Sequence, residues 1–401
     1  MANPAIVDLL KPTYGYGLAA FGVALVATPI CRFIAYKTGI VDRPDDLLKP
    51  HGRPVAYLGG IGICIGLLVG LVSYTATLED LGGHWGRLTS ALARFDYGQL
   101  RQNPLWNLAG IVLSCAVITL VGLLDDILNL RPRTKVLGQI LAASILLLGG
   151  VGVQMGQAFF PFYHMDPWIL FPVSIALCLI AVVASCNAVN LLDGLDGLCG
   201  GVTGIIALGF LALSTWLATW NPALSPQMHL IQMVICLAMV GGIAGFLPYN
   251  VPPASIFMGD AGSMLLGFFV AVQMAMFCEQ QSGRWFLAAL VVFSLPILDT
   301  SLAVVRRLLS GKSIFAGDRS HLYDQLVDRG WPVKKVVFLF YALAIVGAVL
   351  GVLMAIHVRT RYAVPIYAVG MAGIWILFWK LGMIRPGAHA PTLPGDPKKP
   401  G

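Results

Sequence analysis

"PWILFPVSIALCLIAVVASCNAVNLLDGLDGLCGG", Pro167–Gly201, joins two kinds of sequence with no linker between them. Residues 167–186 carry no charge. At a rise of ~1.5 Å per residue, a run of that length crosses the ~30 Å hydrocarbon core of a bilayer. Backbone groups in lipid need internal partners, so the run reads as a helix. The next fifteen residues hold Asp193, Asp196, Asn187, Asn190 and four glycines. They read as a loop at the membrane face, crowded with acceptor oxygens.

Apolar windows of the same kind recur along the chain. They predict helices near 14–36, 57–77, 105–124, 135–153, 167–186, 201–219, 229–247, 262–278, 285–306, 336–356 and 362–382. The composition agrees: 58% of residues are hydrophobic and 11% are charged, against roughly 25% charged in soluble domains. The expected fold is an all-α polytopic membrane protein of about eleven transmembrane helices, with its active site in cytoplasmic loops. A single membrane domain is expected over 1–385. The Pro/Gly-rich stretch 386–401 reads as a disordered tail. The segment "QAFFPFYHMDPW" (157–168) is too short to span and reads as a small extracytoplasmic hairpin.

Lysine and arginine set the orientation. One alternate set of connecting segments, with the first helix end and the C-tail, holds 19 of the 26 basic residues, and the opposite set holds seven. The first set should face the cytoplasm, the C-terminus with it, which accounts for the formal net charge of +7 without any nucleic-acid partner. The eight cysteines lie in or beside apolar segments with no metal-ligand spacing, and read as buried hydrophobes.

The unusual polar residues share the cytoplasmic side. Asp125 and Asp126 follow the third window, and "NAVNLLDGLDGL" follows the fifth. Asn250 and Asp260 of "NVPPASIFMGDAGS" precede the eighth, while Arg319 and His321 lie in the most basic loop. Carboxylates concentrated in short loops repel one another unless a cation relieves them. The donor set is oxygen-only, which favours Mg²⁺, with Mn²⁺ as the alternative, over zinc. Magnesium held by few protein ligands shares its sphere with substrate phosphates. Residues alone therefore point to Mg²⁺-assisted phosphoryl chemistry at a membrane face.

Five stretches carry a family resemblance: "PHGRPVAYLGG" (50–60), "GLLDDILNLRPRTKVLGQ" (122–139), "NAVNLLDGLDGL" (187–198), "NVPPASIFMGDAGSMLLG" (250–267) and "PILDT" (296–300). With these motifs the chain resembles the polyprenyl-phosphate N-acetylhexosamine-1-phosphate transferase superfamily. The resemblance implies transfer of a sugar-1-phosphate from a UDP-N-acetylhexosamine to a polyprenyl phosphate such as undecaprenyl phosphate, releasing UMP, with Mg²⁺, at the inner (plasma) membrane. It implies Asp260 and Asn190 as metal ligands and the Asp125–Asp126 pair as the acceptor-activating dyad. Lys135 matches a diphosphate contact. Asp196, Asn250 and Phe257 match positions lining the uridine pocket, and Asp193, Arg319 and His321 complete the nucleotide-sugar set. Lys49 and His51 are weaker candidates for the lipid phosphate. A homodimer is left open.

The family's cytoplasmic His-X-His-His pattern reads His321-Leu322-Tyr323-Asp324 here. That departure, with eleven windows rather than ten, favours the GlcNAc-1-phosphate branch that primes O-antigen or teichoic acid synthesis over the muramoyl-pentapeptide branch. Asp299, inside a window, reads as a hydrogen-bonding helix-packing residue. A transporter is the rival class, but carriers place their ionisable groups near the midplane, often in broken helices. A CDP-alcohol phosphotransferase would need an Ala-Arg pair after Asp193-Gly194, where Leu195-Asp196 stands.

Overall fold

The computed structural model describes residues 11, 13–42, 54–76, 78, 80–159, 166–220, 226–279, 283–311 and 321–383. Among them the chain runs α1 (Tyr14–Thr38), β1 (Val41–Asp42), β2 (Val55–Ala56), α2 (Gly59–Thr75), α3 (Leu81–Arg94), α4 (Tyr97–Leu100), α5 (Pro104–Leu128) and α6 (Pro132–Leu148). It continues through α7 (Met155–Phe159), α8 (Pro167–Leu192), α9 (Leu198–Trp220), α10 (Pro226–Asn250), α11 (Gly259–Cys278) and α12 (Gly283–Val292). The last helices are α13 (Ser294–Leu309), α14 (Leu322–Asp328), α15 (Val333–His357) and α16 (Thr360–Lys380). The protein is an all-α polytopic membrane protein.

Every apolar window lies on a helix, but not every helix is a full span. Eight among the described residues are long and apolar enough to cross a membrane: α1, α5, α8, α9, α10, α11, α15 and α16. Helices α2 and α6 have 17 residues each, about 25 Å of rise. The first turn of α6 carries Arg133 and Lys135, which keeps that end out of hydrocarbon.

The window 285–306, expected as one helix, is broken: α12 and α13 meet at 71°. Pro296 stands in the first turn of α13, where its ring lacks an N–H and opposes the carbonyl of Val292. The bend carries Asp299 out of a straight span. Of the stretch expected as a hairpin, residues 157–159 end the short helix α7, and 160–165 lie outside the described residues, as does the expected tail 386–401.

At the centre stands α11, buried along its whole length apart from Asp260. A helix apolar all round belongs in a core, and α2, α5 and α8 surround it. Glycine sets how close they come. A Cβ on Gly60 of α2 would sit 2.5 Å from the Cα of Gly262, and one on Gly267 would sit 2.5 Å from the Cα of Cys186 on α8. A Cβ on Gly122 of α5 would sit 2.5 Å from the Cα of Ala261. Backbone contacts at Gly60 and Gly122 fix α11's first turn, which carries Asp260, against α2 and α5, and Gly267 holds a later turn against α8. All eight cysteines are buried.

At the far end of α11, Glu279 accepts the Gly152 N–H at 2.7 Å. Burial pushes its carboxyl from the ordinary 4.5 up to about 7, against the lowering effects of that N–H and of Arg101. A group that holds its proton longer in the folded than in the unfolded state costs stability as pH rises through the interval. Thermal stability should therefore fall between pH 4.5 and 7, and Glu279→Gln should flatten that fall. Superimposable melting-temperature profiles for the two proteins would exclude this.

Candidate active site

Four chain segments distant in sequence meet at the Gly259 end of α11. The first is the α5–α6 hairpin. Asp125 accepts the Leu130 N–H at 2.9 Å, beyond Asn129, which takes a left-handed conformation and ends α5. Pro132 then starts α6, and Lys135 returns to face Asp125 with Nζ–Oδ2 at 2.7 Å. The same Nζ pairs with Oδ2 of Asp260. One ammonium thus bridges two carboxylates.

Asp126 has a different task. Its carboxylate accepts the backbone N–H groups of Asp260 (2.7 Å) and Ala261 (3.1 Å), capping α11 where orphan donors gather. The two members of the expected dyad are therefore separated: Asp125 faces the cation, and Asp126 holds the helix that presents Asp260. Gly259, with φ +65°, lets the turn pass Asp126, since a Cβ there would lie 2.6 Å from its Oδ2.

The last turn of α8 contributes Asn190, whose Nδ2 donates to Asp260 Oδ1 (2.7 Å) and to Ser263 Oγ (2.9 Å). Asp193 caps α8 close by. Burial holds its carboxyl well above the usual range, reinforced by the charges of Asp260, Asp126 and Asp196. Asp196 and Asn250, both expected at the uridine pocket, fasten two loops together. Asp196 accepts the Ala254 N–H (2.9 Å). The buried Asn250 accepts from Gly197 N (3.0 Å) and donates to Ile256 O (3.0 Å). Tyr341 adds a donation to Gly197 O at 2.6 Å.

The segments before α2 and α11 pair with each other. Phe257 N donates to Ala56 O (2.8 Å), and Gly59 N donates to Phe257 O (2.9 Å). This sets the half-buried Phe257 edge-on to Tyr57, with ring centres 5.9 Å apart. Tyr57 was not singled out from the sequence. Its phenol is pushed far above its ordinary range, first by burial and then by Asp42, Asp193, Asp126 and Asp260, so it borders the acidic centre. Its signal in the sequence is its place in the motif "PHGRPVAYLGG", one residue before Leu58 and the glycine pair.

His321 is held as firmly. Its Nδ1 lies 2.8 Å from Asp299 Oδ2, while Leu322 N donates to Asp299 Oδ1 at 2.7 Å. Asp299 is 1% exposed. Tyr323, standing where the family pattern has histidine, stacks on His321 with centres 5.5 Å apart. Its hydroxyl donates to Leu191 O (3.0 Å), and its ring covers Gly194. The Asp299–His321 pair thus ties the bent helix to the loop after α8 through Tyr323. Asp299→Ala removes the acceptor of two buried donors, which should cost about 3 kcal/mol of stability, with Asp299→Asn costing less because one acceptor oxygen remains. Denaturation in detergent checks this; equal stabilities for wild type and the alanine variant would refute it. Arg319, Lys49 and His51 lie outside the described residues.

Among the described residues no three His, Cys, Asp or Glu side chains form an all-protein cation site. Asp125 and Asp260, however, face one point, with the Asn190 amide beside Asp260. Two carboxylates and an amide fit a hard divalent ion that completes its sphere with water and phosphate oxygens.

The model for glycosyl transferase family 4 matches residues 108–278, the span holding Asp125, Lys135, Asn190 and Asp260. A decaprenyl-phosphate N-acetylglucosaminephosphotransferase of Mycobacterium tuberculosis is 31% identical over 375 residues, covering 89% of this chain and 86% of that protein. A probable undecaprenyl-phosphate N-acetylglucosaminyl 1-phosphate transferase of Bacillus subtilis is 29% identical over 339 residues, 82% of this chain and 81% of the relative. A phospho-N-acetylmuramoyl-pentapeptide-transferase of Moorella thermoacetica is 32% identical over 365 residues, 86% and 98%. Matched over most of its length by polyprenyl-phosphate N-acetylglucosamine phosphotransferases, with eight helices able to cross a membrane among the described residues and an acidic centre inside the matched span, the chain belongs to glycosyl transferase family 4 as a membrane-embedded transferase.

Proposed function

We propose that the protein transfers N-acetylhexosamine-1-phosphate, GlcNAc-1-phosphate in the first instance, from a UDP-sugar to a polyprenyl phosphate, releasing UMP, with Mg²⁺, at the cytoplasmic face of the inner membrane. The observation that carries the reading is the bridge of Lys135 between Asp125 and Asp260, beside Asn190. Two anions, the acceptor phosphate and the donor diphosphate, must meet there, so placement and charge neutralisation are the main tasks. Bound Mg²⁺ would supply Lewis-acid withdrawal of charge from the departing UMP, held by Asp260 and Asp125 with the Asn190 carbonyl.

Lys135 supplies positive charge for the diphosphate. Asp125, 13% exposed at its side chain, aligns the acceptor phosphate for in-line attack. A phosphate monoester with a second pKa near ~6 is ionised at neutral pH, so a strong base is not required. Asp126, Asn250 and Asp196 act one step back, holding the loops. An apolar cavity of about 420 Å³ between α8, α12 and α13, lined by Ile180, Ala184, Met274, Phe286, Phe293 and Ile297, offers room for part of a prenyl chain.

The test uses purified protein, undecaprenyl phosphate and Mg²⁺, with UMP release followed for UDP-GlcNAc, UDP-GalNAc and UDP-MurNAc-pentapeptide in parallel. Release with UDP-GlcNAc alone supports the proposal. Release with the pentapeptide donor alone favours the second reading, peptidoglycan lipid synthesis, which the 98% coverage of the Moorella relative supports. No release from folded protein refutes both. Phe257→Ala should raise the KM for the donor about tenfold with kcat little changed, the loss expected for one base–aromatic stack; an unchanged KM removes Phe257 from the uridine pocket.

A further inference from the structure

The Lys135 ammonium occupies the point at which Asp125 and Asp260 converge. It pairs with Oδ2 of both, and the three side chains are only 13–25% exposed. These are the same two carboxylates that the proposed function assigns to the divalent ion. A lysine head is a compact charge on a flexible four-carbon stem, able to stand in for a small cation and to swing away from it. A monovalent and a divalent cation within about 4 Å of each other in a weakly screened site repel strongly, so both cannot hold these carboxylates at once.

We propose that Lys135 is an exchangeable internal counter-ion: it and the divalent ion are alternative partners of Asp125 and Asp260, and metal loading releases its ammonium to the donor's diphosphate. With Lys135 in place, the two carboxylates and one ammonium carry a net charge of −1, which repels a diphosphate. With a divalent ion in place the carboxylates are neutralised, and the displaced ammonium becomes surplus positive charge beside the incoming anion. Metal binding and donor binding are thereby coupled, each strengthening the other. In the metal-free protein Lys135 offsets one of the two carboxylate charges, with Asn190 and Asp126 fixing the geometry on either side.

The inference rests on Asp260 as a metal ligand, so its test separates the two ideas. Mn²⁺ is titrated by EPR into full-length protein in nanodiscs, without nucleotide, for wild type, Lys135→Met and Asp260→Asn. Lys135→Met should bind Mn²⁺ about tenfold more tightly than wild type, since it lacks the competitor. Asp260→Asn should lose binding. Equal or weaker Mn²⁺ binding by Lys135→Met, with binding lost in Asp260→Asn, overturns the exchange and leaves the metal reading intact. Wild-type binding by Asp260→Asn overturns the metal reading and this proposal with it.

Should Lys135→Met fail to fold, wild type answers alone. Reductive methylation of Lys135, read by mass spectrometry, should rise several-fold on adding Mn²⁺ and fall again on adding UDP. Labelling that Mn²⁺ leaves unchanged overturns the exchange.

Discussion

Replacing Asp260 by alanine should reduce UMP release by about 10³-fold or more, the loss expected when a preorganised charge-stabilising group leaves a low-dielectric site. Its carboxylate binds Lys135 and Asn190, so every role assigned to it belongs to the charged centre. The cap of α11 does not depend on that side chain. The first turn of α11 is capped by Asp126 through the backbone N–H groups of residues 260 and 261, which alanine retains. The variant should therefore purify as a monodisperse, helical protein with a melting temperature near that of wild type. Near-normal turnover at saturating Mg²⁺ would remove Asp260 from the proposed metal site. An unfolded variant would instead show that the Lys135 bridge carries stability.

Gly60→Val should have the largest effect on folding. A Cβ at Gly60 would stand 2.5 Å from Gly262 Cα and 2.7 Å from Met258 O, against backbone that cannot rotate aside. The neighbouring Gly60 N–H donates to Met258 O at 2.9 Å, so parting the helices also breaks this bond. Overpacking costs typically 1–3 kcal/mol where side chains can yield; with backbone on both sides the cost should be about 3 kcal/mol or more. Loss of the monodisperse peak on size exclusion reads this out. Gly86→Ala is the control: Gly86 lies within α3 with nothing within 4 Å of its added Cβ. It should gain up to ~1 kcal/mol from helix propensity alone. Equal behaviour of the two variants would mean that the α2–α11 crossing is not the tight point described.

The sequence by itself determined the membrane class, the helix windows and the collection of Asp and Asn residues at loops between spans. These are local properties: an uncharged run long enough to cross a bilayer is visible in one window, and so is an Asp-Gly turn at its end. The family motifs marked Asp125, Lys135, Asn190 and Asp260 because all four lie inside short stretches legible on their own. What each of them touches was not legible. Lys135 and Asp260 are 125 residues apart, and Asn190 and Asp260 are 70 apart. Only the packing of α5 and α8 around α11, with α6 against both, brings them together.

The division of the Asp125–Asp126 dyad was hidden for the same reason. Adjacent residues on a helix point about 100° apart, and their partners belong to other elements. The acceptor chemistry of Asn250 and Asp196 is visible in sequence, while the backbone donors of Gly197 and Ala254 that they also hold are not. Asp299 lay inside an apolar window and read as a packing residue. The bend before Pro296 and the fold of the last loop made it the partner of His321. Hydrophobic length and residue chemistry are written along the chain, so the sequence decides what can be buried in lipid and which groups must stay at its edge. Pairings between distant groups depend on how closely helices approach, and here backbone-to-backbone glycine contacts, with no side chain of their own to announce them, decided that.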